Sequence, residues 1–468
     1  MADPGEYDDQ GPMAPDPPGR VRRGLTIALL ITLIVSMVYL AFVSGRGVVP
    51  IEPVVPPRSS AQPADVRTSR LAIVDSRGRL TTTDATGGSV FTYGKPGIAF
   101  SFPAWSPDGS RIAAVGESAG ESAIYVFIAR SAATPGSDPV VVYRSRDRAP
   151  FYLYWAPDGR QLSFLTTEPD GLALRIAPAD GSTVAVPIRV GSPMYWAWVD
   201  PARMLVHSGG DGLDAFFGEA GLDGIFVEPT TIESGAFRAP AVTSDGRFRA
   251  YVAPLDGTTE QVVVETRDRS KRHAIAVFGA AAIDFGPTTS ELAFIAPAEA
   301  GREVTLPIGL LRLLDAPSGG VRTLLAGSTA AFFWAPDGRT IAALQIAAPG
   351  DTVAAAGRIS LAMTTLAPWL RASEDATTPG LALRLVFIDV ESGAIRSQRA
   401  VRVSDTFAQL LLPYFDQYAL SHRLWSADGR SLVLPLTTDD GTGQIVVIPA
   451  DGSDSDLVAD GVTGTWSP

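Results

Sequence analysis

From residue 69 onward one phrase recurs: an apolar strand ending in Trp, a tight turn built on Asp-Gly, then a second apolar strand. Clear copies are PAWSPDGSRIAAV from Pro103, LYWAPDGRQLSFL from Leu153, FFWAPDGRTIAAL from Phe332 and RLWSADGRSLVLP from Arg423. They align Trp105, Trp155, Trp334 and Trp425 in one slot, and Asp108, Asp158, Asp337 and Asp428 three residues later. Trp198, Val242 and Phe285 occupy the same slot in weaker copies, and Trp466 occupies it as the chain stops. The slots are spaced by 50, 43, 44, 43, 49, 91 and 41 residues. A period in the forties with four short strands per unit predicts an all-β chain folded as a β-propeller. Proline sets φ for the first corner of the turn, and Asp and Gly tolerate the rest, so the two strands must reverse there. The aromatic ahead of the turn reads as packing between neighbouring blades. Residues that recur in every unit are structural rather than catalytic.

Eight slots predict eight four-stranded blades, or seven if Phe285 is a false slot. The last slot has nothing after it, while Leu71–Val74, Leu80–Thr83 and Val90–Tyr93 form three strands without a first one. The two ends should therefore combine into one blade and close the ring, removing exposed sheet edges. The phrase resembles the WD-like propeller repeat of the TolB family and of the dipeptidyl-peptidase IV-type propellers, over about residues 69 to 468. That resemblance implies the fold and little else, because the architecture hosts many functions.

Ahead of the repeat, Leu25 to Val43 is a run of nineteen uncharged residues, long enough to span roughly 28 Å as a helix. It predicts a transmembrane helix over 24–45. A cleaved signal peptide is the other reading, but it calls for a shorter apolar region and a better cleavage site than Val43-Ser44-Gly45. Arg20, Arg22 and Arg23 precede the run and only Arg46 follows closely. The positive-inside rule then puts residues 1–23 in the cytoplasm as a disordered tail and everything later outside, at the plasma membrane. Residues 46–68, with five prolines, read as a semi-rigid stalk.

Composition narrows the function. A net charge of -12 argues against a phosphate-backbone partner, so no nucleic acid is expected. With no cysteine there is no disulfide, thiol nucleophile or Cys-ligated metal. Gly116-Glu117-Ser118-Ala119-Gly120 matches the esterase nucleophile elbow, yet it lies between two strands in repeat register, whereas the elbow needs a strand-to-helix turn. The three histidines, His207, His273 and His422, fall in different blades. Of these only His422 is placed to face the channel, and none makes a metal site alone. The acidic run from Asp451 to Asp456 occupies a hairpin turn and lacks the EF-hand spacing. No cofactor or metal ligand set, and no catalytic residue, is read from the sequence.

Two insertions break the repeat inside the 91-residue interval. Residues 347–380 include a helix-like stretch from Ile359 to Leu370 with Trp369 near its end. Residues 406–420 open with a capping-box pattern, Thr406 to Gln409, and carry Phe407, Leu411, Tyr414, Phe415 and Tyr418 at helical spacing, with Pro413 as a kink. Both should sit on the face away from the membrane. There they form either a partner-binding cap built around Trp369, Tyr414, Phe415, Tyr418 and His422, or packing that fills a gap between blades. The leading functional expectation is a membrane-anchored, extracytoplasmic, non-catalytic binding or scaffold module for a protein or envelope component. The alternatives are a propeller enzyme of lyase or cyclase type, with His422 and a carboxylate such as Asp416 converging in the channel, and an accessory subunit of a membrane complex.

Overall fold

The computed structural model describes residues 69–468, apart from 130–137, 170, 193, 210–215, 231–238, 257–258, 298–306, 347–380 and 439. The expected tail, transmembrane helix and stalk, and the insertion carrying Trp369, lie outside the described residues. Among the described residues no helix is long and apolar enough to cross a membrane.

The described chain is all-β, built of consecutive antiparallel meanders. Four sheets take their strands in sequence order: Ala99–Trp105 to Val140–Ser145, Pro150–Trp155 to Val186–Gly191, Met194–Asp200 to Phe226–Thr230, and Ala241–Val242 to Arg272–Phe278. A ten-stranded sheet follows from Ala282–Phe285 to Asp456–Asp460. The remaining sheet joins the chain ends: Leu71–Val74, Leu80–Thr83 and Phe91–Thr92 are completed by Thr463–Trp466. The register sets Leu71 against Trp466 and Val74 against Thr463. Beside it the Ser467 N–H donates to Arg70 O at 2.7 Å, and the Arg70 N–H to Ser467 Oγ at 2.9 Å.

Second strands are apolar without alternation because each is covered on both faces by a neighbouring sheet. Ala113 and Val115 pack with Leu153, Trp155 and Phe164 of the next sheet. Ile112 and Ala114, on the opposite face, pack with Ala72, Val74 and Leu80 of the preceding one. Outer strands, such as Arg272–Phe278, are mostly exposed. Face-to-face sheets in series, with the last strand paired to the first, make a closed β-propeller.

The slot aromatics do more than fill space. The indole N–H of Trp155 donates to Ala104 O at 3.0 Å, that of Trp425 to Phe333 O at 3.0 Å, that of Trp334 to Asp284 O at 3.2 Å and that of Trp105 to Thr465 O at 3.2 Å. Each acceptor is the residue just before the slot of the preceding unit, so one bond type stitches successive first strands. Where Trp198 stands, the bond is relayed: Trp196 Nε1 donates to Ser163 Oγ at 2.9 Å, and Ser163 Oγ to Tyr154 O at 2.8 Å. The turn behaves as its residues dictate. The Asp158, Asp337 and Asp428 carboxylates accept the backbone N–H two residues on at 2.9–3.0 Å. The glycines that follow the turn aspartates, Gly109, Gly159, Gly246, Gly338 and Gly429, have φ between 67° and 70°, a region open to glycine at little cost.

Candidate functional site

First strands of separate sheets converge on the 404–422 segment. It starts at Ser404, whose Oγ accepts the Phe407 N–H at 3.3 Å and whose carbonyl accepts the Ala408 N–H at 2.9 Å. The expected cap at Thr406 is not made: Thr406 is itself in helical geometry, without a side-chain cap bond. A π-turn, Phe407–Leu411, a 3-10 turn, Leu412–Tyr414, and a short helix, Phe415–Ala419, follow in line. Pro413 falls in the middle turn, where the helical ladder changes type.

Successive side chains of the short helix reach different sheets around the ring. Phe415 meets Phe332 and Phe333 edge-on, with ring centroids at 5.3 and 5.8 Å. Gln417 reads both backbone groups of Trp196: its Oε1 accepts the N–H at 3.2 Å and its Nε2 donates to the carbonyl at 3.0 Å. Nε2 also donates to the Tyr152 hydroxyl at 2.7 Å, and that hydroxyl donates to the Gln417 carbonyl. Tyr418 stacks on Phe102 at 6.3 Å and stands edge-on to Tyr152 at 5.1 Å. Innermost strands have no neighbour on the axis side to pair their backbone groups, and Gln417 supplies both partners at Trp196. Phe102 and Tyr152, both three residues before a slot Trp, hold φ of 51° and 50°, left-handed conformations that cost a bulky residue energy. Both are residues that touch the segment.

At two of the five expected cap residues this placement corrects the expectation. Phe415 is 1 % exposed and His422 2 %, so neither offers surface to a partner; burial between facing first strands takes that surface first. Tyr414 and Tyr418 are half-buried, and Trp369 lies outside the described residues. The segment is an axial plug, the packing alternative of the sequence reading. His422 belongs to it: Nδ1 lies 2.7 Å from Ser421 Oγ, the ring faces Tyr152 and Tyr418, and burial pushes its pKa down to about 4. His207 lies in the second strand of its sheet against Phe217, and His273 in an outer strand.

A polar group lies beside the plug, and the sequence reading named only its Asp416. Asp416, buried on the short helix, faces Asp284 of the Ala282–Phe285 strand. Burial, followed by the charge of Asp416, raises the Asp284 pKa to about 8. The Tyr154 hydroxyl, raised by burial, accepts the Trp198 backbone N–H and feels both Asp284 and Arg423. Arg423 keeps solvent contact, yet enclosure lowers its pKa from the ordinary value. At neutral pH this arrangement holds a protonated carboxyl next to a second acid, a phenol and a guanidinium. One signal for it is legible in the repeat: Asp284 and Tyr154 each precede a slot residue, the position that elsewhere carries Ala104, Phe333 and Thr465.

The remaining motifs are structural. Residues 116–120 form a hairpin, with Ser118 paired to Glu121 and Ala119 and Gly120 at φ 51° and 75°. In the Asp451 turn the carboxylate accepts the Ser453 N–H and hydroxyl at 2.9 and 2.7 Å. Among the described residues no group of three or more His, Asp or Glu side chains is placed to hold a metal.

No family model matches the chain, and no curated protein does. Solved structures similar to it include a eukaryotic initiation factor (10 % identity, 86 % of this chain and 99 % of that one, TM-score 0.48). Dihydro-heme d1 dehydrogenase NirN is similar at 13 % identity, over 88 % and 77 %, with a TM-score of 0.48. TolB from Acinetobacter baumannii is similar at 13 % identity, over 83 % and 79 %, with a TM-score of 0.36.

Proposed function

We propose that this protein is an eight-bladed, membrane-tethered, extracytoplasmic propeller that works as a binding or scaffold module for a protein or envelope component. The blade count is supported by dividing the ten-stranded sheet at two places. The fourteen-residue strand Val321–Trp334 serves two units, and the strands of the last two share a single ladder pair, Val403–Leu436. Tether and orientation are supported by the uncharged run from Leu25 to Val43 and the arginines before it.

The observation that carries the binding reading is the plug. The propeller axis, where inner strands present converging groups to a substrate, is occupied by Phe415, Gln417 and Tyr418 of the chain itself, with Gln417 hydrogen-bonded on both sides. Recognition is thereby moved to the rims and to the solvent-reached group around Arg423. A photo-crosslinking residue in place of Arg423, in the full-length protein in intact cells, should give one discrete adduct. No adduct from Arg423 or from rim positions such as Thr288 and Arg160 would sink the reading.

A second reading is favoured by Asp284 and Asp416: two acids with one raised pKa are the setting for general acid–base work. It requires that Asp284→Asn abolish a turnover while leaving crosslinking intact.

A further inference from the structure

The outer rim of the propeller supports an inference that deepens the membrane-tethered part of the proposed function and rests on it. In each meander the turn from first to second strand and the turn from third to fourth lie at the same end, so they share one face of the ring. Both ends of the described chain reach that face. Ser467 and Arg70 bond to each other, and a methyl at Gly109, in the turn after Trp105, would touch Pro468 at 3.6 Å.

Exposed apolar side chains gather at the outer edge of this face. Val90, Val184, Ile225, Val321, Ile395 and Leu457 all stand within two residues of the start of a fourth strand, each in a different unit, and Val184 and Ile225 are 82 % and 67 % exposed. Of the exposed large apolar side chains among the described residues, only Val190, Leu255 and Phe278 lie toward the other face. Successive units seat against one another along this edge. A methyl at Gly181 would meet Val140 Cγ1 at 2.9 Å, one at Gly224 the Ile188 carbonyl oxygen at 3.2 Å and one at Gly87 the Val458 carbonyl oxygen at 2.5 Å. The apolar positions are thereby strung around the rim. A single exposed aliphatic is ordinary on a protein surface, but confinement of so many to one face points to a partner.

We propose that this rim rests on a lipid surface, its aliphatic side chains entering the boundary between headgroups and acyl chains. The way the chain arrives selects a bilayer as the occupant: the described residues begin at Ser69 on this face, and residues 44–68 separate it from the uncharged run Leu25–Val43. That stretch reaches at most about 85 Å. The rim therefore meets the bilayer as an intramolecular event, for which shallow apolar contacts suffice. Side chains spread over separate blades fit an extended plane better than a peptide lying in one groove. Aliphatic insertion also needs no anionic headgroups, which a net charge of -12 would repel.

The chain has no cysteine, so one fluorophore can be attached at Val184→Cys or Ile225→Cys, with Leu255→Cys as the control on the other face. Full-length protein is reconstituted in phosphatidylcholine vesicles, with and without a lipid carrying a nitroxide near its headgroup. Emission at both rim sites should be quenched about twofold or more, while emission at Leu255 should be unchanged. All three side chains are exposed, so the fold should hold; where a labelled rim variant melts early, Leu457→Cys takes its place. Protein that fails to float with the vesicles refutes the tether and the proposal with it. Protein that floats with its rim sites unquenched, or with Leu255 quenched equally, overturns lipid docking alone and leaves the tether standing. Rim labels shielded only in intact cells assign the surface to a protein partner and overturn lipid docking likewise.

Discussion

The slot tryptophans and the axial plug both hold neighbouring sheets together, but they do so over different reach. Trp155 and Trp425 each join their own unit to the one before through a single indole bond. The plug joins first strands that are far apart in sequence, touching Phe102, Tyr152, Trp196 and Phe332 at once. A stitch between neighbours can be lost singly, whereas a shared axle couples units that otherwise touch only through their neighbours. Ring closure is the third kind of link, and the two chain ends make it alone.

The largest effect should come from the closure. Deleting residues 461–468 removes the Thr463–Trp466 strand, the Ser467–Arg70 bonds and the carbonyl that receives the Trp105 indole. It exposes the Leu71–Val74 edge, whose residues are now fully buried. The melting temperature should fall by more than about 10 °C, since several kcal/mol leave at once. A melt within a few degrees of the parent would mean the ring is held by stitches and axle alone. Next comes the axle: Phe415→Ala empties a site 1 % exposed between Phe332 and Phe333 and should cost about 3–5 kcal/mol by chemical denaturation. A cost below about 1 kcal/mol would make the plug an ornament of a self-sufficient ring.

This difference in reach is also a difference in legibility. A stitch repeats with the period, so Trp105, Trp155, Trp334 and Trp425 stand out from spacing alone, and their turns follow from Pro, Asp and Gly. The closing pair could be read because each end lacks what the other supplies. The plug occurs once, and aromatic spacing in Phe407–Tyr418 fits an exposed cap as well as a buried axle; only the facing residues decide, and those belong to other sheets. Gln417 gives no local sign that it pairs with Trp196 from 221 positions away. Asp284 is unremarked for the same reason: its raised pKa comes from enclosure and from Asp416, neither of which is local.

Protonation sharpens the axle side of the comparison. Asp284 titrates near 8 when folded and near 3.8 by its ordinary value. Its contribution to stability is therefore full below about pH 4 and is lost as pH rises through about 8. His422, pushed down to about 4 from 6.5, runs the other way: its contribution is present above 6.5 and lost as pH falls through about 4. Between pH 6.5 and 8 only Asp284 of these two should slope, by about 2 kcal/mol. Asp284→Asn should flatten that part of the stability profile in denaturant titrations, and an unchanged slope would mean that Asp284 ionises freely beside the plug.

The smallest effect isolates one stitch. Trp155→Phe removes an indole N–H that donates to Ala104 O at 3.0 Å and leaves that carbonyl without this donor. Trp198→Phe makes the same change in the same slot, where the Nε1 has no hydrogen-bond partner among the described residues and the link runs through Trp196 and Ser163 instead. Loss of ring volume is common to both variants, so the difference between their unfolding free energies reports the hydrogen bond, expected at about 1 kcal/mol. Ser163→Ala breaks the relay without touching any slot aromatic and should cost as much again. If Trp155→Phe and Trp198→Phe match within error, slot tryptophans stabilise by packing alone, and the plug with the closing strand carries the coupling between sheets.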